Sequence, residues 1–369
     1  MKIERVVLRR IALPLVSPFR TSLGSEYERV ALLVHVTTPD AEGWGECVAG
    51  ADASYSSEYV EGAEDVLVRH LVPPLLAAGN VTAHTVAPLL AGVKGHRMAK
   101  AALEMAVMDA ELRGHGLSFA AGLGAVADSV PSGVSVGIMD SVPELLDAVT
   151  GYLAQGYRRI KLKIEPGWDV GPVRAVRERF GDETLLQVDA NAAYTRADVR
   201  QLARLDDFDL LLIEQPLDEE DLLGHAELAR SLRTPICLDE SVVSARSAAD
   251  AIALGACRIV NVKPGRVGGY LEARRIHDVC AASGVPVWCG GMLETGLGRA
   301  GNLALAALPN FTLPGDVSAS DRYYETDITA PFVLRDGNLS VPAGPGLGVT
   351  PVPAVLDEVT TSVRELRNS

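Results

Sequence analysis

In the stretch RIKLKI (159–164), two lysines alternate with isoleucine and leucine. Alternate residues of a β-strand point to the same side, so Lys161 and Lys163 should face one side of an otherwise buried strand. Two like charges in that position are costly unless other groups compensate for them. The stretch therefore predicts a strand whose end serves a charged site.

The same type of apolar strand recurs through the second part of the chain, and a helical segment follows most copies. Continuous apolar strands that alternate with helices are typical of a parallel sheet covered by helices. We therefore predict an α/β fold, a modified TIM barrel of the (β/α)7β type, because the last helix is weak. The predicted strands are 130–138, 159–164, 185–191, 210–216, 235–241, 258–264, 286–292 and 311–316.

The first third of the chain has a different pattern, typical of an α+β unit that caps the barrel. We predict this capping domain over 1–125, the barrel over 126–322, and a C-terminal segment, 323–369, that returns to the cap. The stretch SPFRTSLGSE (17–26) is polar and contains glycine, which favours a flexible loop. Strands are predicted over 3–15, 29–40 and 42–48, and helices over 58–77, 82–94 and 98–113, the last ending before Gly114.

Bulk composition restricts the class of function. Hydrophobic residues make up 48% of the 369 positions and the net charge is −14, so the chain predicts a globular protein that does not bind nucleic acid or an anionic membrane through a general field. Its five cysteines are an odd number without a C-x-x-C pair, which favours reduced core residues. No segment is apolar enough for a membrane span or a signal peptide, so we expect a soluble, cytoplasmic protein.

Ionisable residues lie at the ends of successive predicted strands. They are Lys163, Asp189, Glu214, Asp239 and Lys263, at spacings of 26, 25, 25 and 24 residues. Each spacing is close to one strand–helix unit, and the active sites of such barrels form at the C-terminal ends of the strands. We therefore expect these side chains on one rim, with the two lysines on opposite sides of the barrel mouth.

Three neighbouring carboxylates would repel one another, and a divalent cation removes that repulsion. All-oxygen ligands suit Mg²⁺ or Mn²⁺ better than Zn²⁺. A substrate carboxylate bound between two opposed amines favours chemistry at its α-carbon, since the metal stabilises the enediolate and the lysines exchange the proton on either face. Lys161 is placed to hold the substrate carboxylate and to lower the pKa of Lys163.

The motifs around these residues resemble the enolase superfamily, in its muconate-lactonizing-enzyme subgroup. They are K-x-K (161–163), V-D-A-N (188–191), I-E-Q-P (213–216), L-D-E-S (238–241) and N-V-K-P-G (261–265). The wider runs GVSVGIMDS (133–141) and WCGGMLETGLGRA (288–300) are most similar to the N-succinylamino acid racemase / o-succinylbenzoate synthase family. The resemblance covers essentially the whole chain.

This resemblance implies two reactions that share α-proton abstraction: racemisation of N-succinylamino acids, and a syn-dehydration that forms o-succinylbenzoate in menaquinone synthesis. It implies Asp189, Glu214 and Asp239 as Mg²⁺ ligands and Lys163 and Lys263 as the acid/base pair. In the dehydration, Lys163 is base and then acid while Lys263 stabilises charge. A homo-oligomer is also implied, with an octamer as one candidate.

Further residues are carried over from the resemblance. The substrate-binding set is Lys161, Ser135, Asn191, Gly291, Met292, Phe19 and Arg20, the last two on the loop of the cap. The residues that support the ligands and lysines are Glu240, Gln215 and Arg266. Tyr55 and His96 receive no role.

Other functions remain open from the sequence. A dipeptide epimerase and a muconate cycloisomerase use the same scaffold, although the epimerases carry an Asp-x-Asp pair where this chain has Asp316-Val317-Ser318. A Schiff-base lyase that uses Lys263 as its nucleophile and an inactive metal-binding scaffold are alternatives of other classes. Neither explains why five successive strands end in matching ionisable residues.

Overall fold

The strands form two main sheets and one short ribbon. In the computed structural model, residues 1–367 are described. A four-stranded sheet has the order β13-β1-β2-β3, a seven-stranded sheet runs from β5 to β11 in chain order, and β12 pairs with β4. The strands are β1 Arg5–Thr21, β2 Gly24–Thr37, β3 Glu42–Cys47, β4 Ser129–Pro131, β5 Gly133–Val136, β6 Arg159–Lys163, β7 Leu185–Asp189, β8 Ile213–Glu214, β9 Ile236–Leu238, β10 Ile259–Val262, β11 Val287–Cys289, β12 Asn338–Ser340 and β13 Thr360–Arg367.

Helices connect the parallel strands and cover the cap sheet. The α-helices are α1 Val60–Val66, α2 Val72–Ala77, α3 Ala83–Leu89, α4 Arg97–His115, α5 Phe119–Leu123, α6 Val142–Gln155, α7 Val170–Phe180, α8 Val199–Leu202, α9 Leu222–Ser231, α10 Ala245–Leu254, α11 Pro264–Val267, α12 Tyr270–Ala282, α13 Gly296–Ala306 and α14 Pro353–Val359. A π-helical turn spans Leu67–Leu71, and 3₁₀ turns span Arg196–Asp198, Ala203–Phe208 and Ser320–Arg322.

The barrel has seven parallel strands and an irregular eighth segment. The predicted strand 311–316 is not a regular strand, because Pro314 within it cannot donate a backbone hydrogen bond. Single bridges still join Phe311 to Val287 and Gly315 to Ser132, so the segment links β11 to the chain just before β5. This architecture, with a separate antiparallel cap sheet, confirms the predicted α/β barrel of the (β/α)7β type with a capping domain.

An apolar layer fills the barrel beneath the charged rim. Leu212, Cys237, Ile259 and Trp288 form one buried cluster. Glu214 and Asp239 lie two residues beyond Leu212 and Cys237, and residues two apart on a strand face the same side. The strands therefore place an apolar floor below the ionisable side chains.

The cap hairpin corrects the prediction of a flexible loop over 17–26. In the structure β1 and β2 continue to Thr21 and Gly24, and the register shifts between Pro14 and Phe19. The barrel holds the tip of this hairpin, since Ile138 donates its backbone N–H to the Arg20 carbonyl (2.9 Å) and Ser22 donates its hydroxyl to the Ala190 carbonyl (3.1 Å). Long-range contacts thus order a segment whose local sequence favours a loop.

Helix α4 packs tightly on the cap sheet. A Cβ on Gly43 would lie 2.9 Å from the Ala110 Cα, so this strand position needs glycine for the close approach. The predicted helix end before Gly114 was wrong: α4 runs to His115, and Gly116 closes it with a left-handed φ of 66°. The predicted helix over 58–77 is also interrupted, by the π-helical turn.

The C-terminal strand β13 pairs antiparallel with β1, from Arg5 opposite Arg367 to Ile11 opposite Thr360. The five cysteines are buried and free, as expected. None of the helices described between residues 1 and 367 combines the length and the apolar character that crossing a bilayer requires.

Candidate active site

The ionisable strand ends meet on one rim of the barrel. Lys163 lies opposite Asp189 in the β6–β7 pairing, and Asp189 lies opposite Glu214 in the β7–β8 pairing. Asp239 and Lys263 directly follow β9 and β10. All five side chains are buried. The sheet therefore brings together the charged groups that their spacing predicted.

Lys163 is held at the end of β6 by two oxygen atoms from the next strand. Its Nζ donates to Asp189 Oδ2 at 2.6 Å and to Asn191 Oδ1 at 2.5 Å. The same asparagine donates from Nδ2 to Glu240 Oε1 at 2.9 Å. The position of Lys163 therefore depends on groups at or just after the ends of β7 and β9.

Lys161 lies one layer below and neutralises several carboxylates. Its Nζ is 3.1 Å from Asp189 Oδ2, 3.0 Å from Glu214 Oε2 and 2.5 Å from Asp316 Oδ2. It also lies 4.9 Å from the centre of the Trp288 ring, a cation–π distance. The compensation that the two lysines of RIKLKI require therefore comes from carboxylates on β7, on β8 and after β11.

Lys263 follows β10 and lines the cavity across from Lys163, and a tyrosine of the cap contacts it. Its Nζ donates to Asp239 Oδ2 at 2.7 Å and to the Tyr55 hydroxyl at 3.1 Å, and it lies 5.0 Å from the centre of the tyrosine ring. Arg266 is buried beside it, with Nη2 2.9 Å from Asp239 Oδ1. Asp239 thus lies between two cations.

Strained backbone positions the residues around the carboxylates. Asn191, Ala192 and Gln215 have left-handed φ angles of 41°, 62° and 36°. Gln215 accepts the backbone N–H of Asp239 at 3.0 Å and donates to Ser241 Oγ at 2.8 Å. Such strain persists only where neighbouring contacts hold it, and it is concentrated at functional sites. Gln215 therefore fixes the loop that carries Asp239 and Glu240.

The charges act on one another through this buried site. Burial raises the pKa of Glu214 well above its usual value, and the neighbouring Asp189 carboxylate raises it further. Burial raises the pKa of Glu240 to about 7, with Asp239 adding to the effect. Burial alone would lower the pKa of Lys263, but Asp239 and other nearby anionic groups hold it well above its usual range. The surroundings as they stand therefore favour the ammonium form of Lys263.

A cavity of about 420 Å³ opens between this rim and the cap. The catalytic candidates Lys163 and Lys263 both line it. Six of the predicted substrate-binding residues also line it: Phe19, Ser135, Lys161, Asn191, Gly291 and Met292. Arg20 is not among the lining residues; its guanidinium lies 3.5 Å from Asp140 and 3.4 Å from Glu165, where it ties the hairpin to the barrel.

A buried hydroxyl and a glycine accompany the lysines of this cavity. The Ser135 hydroxyl is buried without a hydrogen-bond partner among residues 1–367. A Cβ on Gly290 would lie 2.6 Å from Lys263 Cε, so glycine at this position leaves room for the lysine stem. Ser135 therefore offers a polar contact to a ligand in this cavity, and Gly290 permits the position of Lys263.

The donor set suits a hard divalent cation. Asp189, Glu214 and Asp239 offer only carboxylate oxygens, the ligands that Mg²⁺ and Mn²⁺ prefer. Asp239 Oδ1 is buried and accepts no hydrogen bond within the described chain, although Arg266 is close. Among residues 1–367, no group of three Asp, Glu, His or Cys side chains converges on a common metal position. The lysines contact the carboxylate oxygens instead, and a cation would compete with them.

Two residues of this site were missed or left without a role from the sequence. Tyr55 comes from an irregular cap segment and carries no periodic signal. Asp316 lies in the irregular eighth segment, where it accepts from Arg159 Nη1 at 2.8 Å and pairs with Lys161. Its place in a D-V-S sequence, at the position of the epimerases' first aspartate, was the one signal available.

Models of two protein families match the chain. Residues 3–124 match the mandelate racemase / muconate lactonizing enzyme N-terminal domain, and residues 144–355 match the enolase C-terminal domain-like family. The chain belongs to the enolase superfamily, in its mandelate racemase / muconate-lactonizing-enzyme group. This membership confirms the resemblance stated from the motifs, and it establishes the chain as a member of a family of enzymes.

Individual members of the superfamily match over nearly the full length. An N-succinylamino acid racemase from Amycolatopsis sp is 72% identical, over 98% of each chain. An o-succinylbenzoate synthase from Geobacillus kaustophilus is 48% identical, over 94% of this chain and 93% of the other. The crystal structure of an enolase superfamily member from Listeria innocua has a TM-score of 0.95 at 40% identity, covering 100% and 99% of the two chains.

One solved relative bears on the ligand set. A dipeptide epimerase from Cytophaga hutchinsonii, complexed with Mg and the dipeptide D-Ala-L-Val, has a TM-score of 0.91 at 25% identity, covering 99% of this chain and 100% of the other. A protein with the fold of this chain is thus known in complex with Mg and a dipeptide.

Proposed function

We propose that this enolase superfamily member is a divalent-metal-dependent N-succinylamino acid racemase that also catalyses o-succinylbenzoate synthesis. The observation that carries the proposal is the pair Lys163 and Lys263. They line one cavity from β6 and from the end of β10, with Asp189, Glu214 and Asp239 on the strands between them. The 72% identity to an N-succinylamino acid racemase and the 48% identity to an o-succinylbenzoate synthase support the choice of substrates.

Both reactions begin with removal of the proton α to a carboxylate. In racemisation, one lysine takes the proton from one face of the α-carbon and the other returns one to the opposite face. Asn191 and Asp189 orient the Lys163 ammonium, and Tyr55 and Asp239 orient that of Lys263. In the dehydration, Lys163 alone acts as base and then acid, while Lys263 stabilises the negative charge.

The remaining groups bind and polarise the carboxylate. Asp189, Glu214 and Asp239 would hold Mg²⁺ or Mn²⁺, which supplies Lewis-acid stabilisation of the enediolate when bound. Lys161, already beside two of these carboxylates, contributes positive charge to the same region. The cap covers the cavity and limits the access of water to the carbanionic intermediate.

We also expect a homo-oligomer in solution, which light scattering after size-exclusion chromatography tests.

Isotope exchange in D₂O tests the two-base mechanism. The wild type should exchange the α-proton of both enantiomers of an N-succinylamino acid and should stop when EDTA removes the metal. Lys163→Ala and Lys263→Ala should each lower racemisation by about 10²- to 10⁴-fold, the usual contribution of a general base. Each variant should retain exchange of one enantiomer only, and the two variants should retain opposite enantiomers.

Lys94→Ala is a matched control, because Lys94 is an exposed lysine of the cap outside the cavity. It should leave both exchange rates unchanged. Racemisation that survives both active-site substitutions would contradict the proposal. A covalent adduct at Lys263 trapped by borohydride, together with insensitivity to EDTA, would instead favour a Schiff-base lyase.

The dipeptide epimerase alternative is less compatible with the cavity. A free carboxylate near the eighth segment would have to bind the ammonium group of a dipeptide. Asp316 is already paired with Arg159 and Lys161, and the position two residues later is Ser318. A competition experiment with N-succinyl-alanine and an alanyl dipeptide tests this alternative. The enzyme should turn over N-succinyl-alanine in preference to the dipeptide, and the reverse preference would favour the epimerase.

A further inference from the structure

Within residues 1–367, Arg29 differs from the other buried arginines because its side chain makes no hydrogen bond or ion pair. It lies on β2 with 3% of its surface exposed. Its Nε and Nη2 atoms are buried without a hydrogen-bond partner, and its side chain makes no ion pair with another residue of the described chain, 1–367. The guanidinium groups of Arg159, Arg177, Arg266, Arg299 and Arg322 are all buried too, but each donates to at least one carbonyl oxygen.

An unpartnered buried guanidinium is unfavourable in a chain that folds alone. Arginine has five N–H donors and cannot be deprotonated at physiological pH, so burial without acceptors costs free energy. The carboxylate of Glu46 is influenced by the charge of Arg29, but that carboxylate already accepts from Thr295 and Gly298. The donors of Arg29 therefore remain available to a ligand.

Arg29 lines the same cavity as the two lysines, but from the cap. The acids Glu26, Glu28 and Asp52 also line this cavity, yet all three are exposed at its solvent side. An anion would be repelled at the mouth and attracted by the buried guanidinium. The cavity thus presents one cationic group on its cap side in addition to the lysines of the rim.

We propose that Arg29 binds a second carboxylate of the substrate, at the far end of an N-acyl chain. The inference rests on the proposed function, in which the first carboxylate lies at the lysine rim. An N-succinylamino acid and o-succinylbenzoate share a succinyl group, whose terminal carboxylate is the ligand that a bidentate guanidinium fits. Arg29 is therefore a specificity-determining residue that selects dicarboxylate substrates over N-acyl compounds without a terminal charge.

The test compares two substrates that differ in the terminal carboxymethyl group that carries this carboxylate: an N-succinylamino acid and the N-acetyl derivative of the same amino acid. Arg29→Gln should lower kcat/KM for the N-succinyl substrate by about 10- to 100-fold, mainly through KM, as expected for loss of a hydrogen bond to a charged group. The value for the N-acetyl substrate should stay unchanged. Arg29→Lys keeps the charge and should recover part of the preference.

Arg69→Gln is the control, because Arg69 lies on the cap surface, paired with Asp65 and outside the cavity. Arg69→Gln should leave kcat/KM unchanged for both substrates. An equal loss on both substrates in Arg29→Gln would overturn the inference and assign Arg29 a structural role. If the variant does not fold, the wild type decides: it should prefer the N-succinyl substrate at least about tenfold over the neutral amide of the same chain, and equal values would overturn the inference.

The two proposals fail differently. A wild type that exchanges no α-proton from any N-acylamino acid contradicts the proposed function. A wild type that racemises N-succinyl and neutral N-acyl substrates equally well retains the proposed function and contradicts only the role of Arg29.

Discussion

The barrel rim and the cap line one cavity with different chemistry. The rim side is periodic: Lys163, Asp189 and Glu214 lie at paired positions of consecutive parallel strands. The cap side has no such repeat: its lining residues include Phe19 and Arg29 from the hairpin and Tyr55 from a loop. In the proposed function, the rim supplies the reactive charges and the cap supplies selection and fine positioning. Substitutions on the two sides should therefore affect different kinetic quantities.

The largest effect is expected on the rim, at Glu214. Glu214→Gln keeps the size of the side chain and the oxygen that accepts a hydrogen bond from Asn261 Nδ2 (2.6 Å). It removes a negative charge from the proposed cation site. We expect α-proton exchange to fall about 10³-fold for both enantiomers, because metal stabilisation of the enediolate contributes several kcal/mol. When exchange is measured over a range of Mg²⁺ concentrations, the rate for the variant should stay below the wild-type rate at every concentration.

Asp250→Asn is the matched control, since Asp250 is an exposed acid on α10, outside the cavity. It should leave exchange unchanged. If Glu214→Gln retained full exchange at low Mg²⁺, the assignment of the carboxylates as metal ligands would be wrong.

The contrast between the repeating rim and the cap also explains which parts of the site could be predicted from the sequence. The charged rim was predictable because each strand–helix unit repeats after about 25 residues, so linear spacing translates into position around the barrel. Tyr55 has no such signal, since its contact with Lys263 joins residues 208 positions apart. Arg266 was expected to support the lysine from its place after β10, but its burial beside Asp239 is visible only in the fold. The polar local sequence of 17–26 favours a loop, whereas contacts with Ile138 and Ala190 of the barrel order it as a hairpin.

A smaller effect is expected on the cap, at Tyr55. Tyr55→Phe keeps the ring beside Lys263 but removes the hydroxyl that accepts from Nζ at 3.1 Å. We expect about a tenfold loss in exchange of the enantiomer that Lys263 serves, identified as the one that Lys263→Ala no longer exchanges. Exchange of the other enantiomer should be unaffected. An equal loss on both enantiomers would mean that Tyr55 acts on the substrate or on the cavity as a whole.

The smallest effect concerns stability where the cap meets the barrel, away from the chemistry. Glu104 of α4 is 2% exposed and accepts the backbone N–H of Leu271 at 2.9 Å, at the start of α12. Burial raises the pKa of this carboxyl to about 7. The unfolded chain ionises it near pH 4.5, so the folded state binds more protons between pH 4.5 and 7, and stability should fall as pH rises through this window.

Glu104→Gln should remove this contribution while keeping the acceptor for Leu271. We would measure the free energy of unfolding by denaturant titration from pH 4 to 8. The fall with rising pH should be smaller in the variant than in the wild type, by about 3 kcal/mol across the window at most, since one pKa unit corresponds to about 1.4 kcal/mol. Glu183, an exposed acid outside this interface, gives the control Glu183→Gln, which should keep the wild-type slope. Because Glu104 lies outside the cavity lining, α-proton exchange by folded Glu104→Gln should match that of the wild type. Equal slopes in wild type and variant would mean that Glu104 is ionised at the cap–barrel contact.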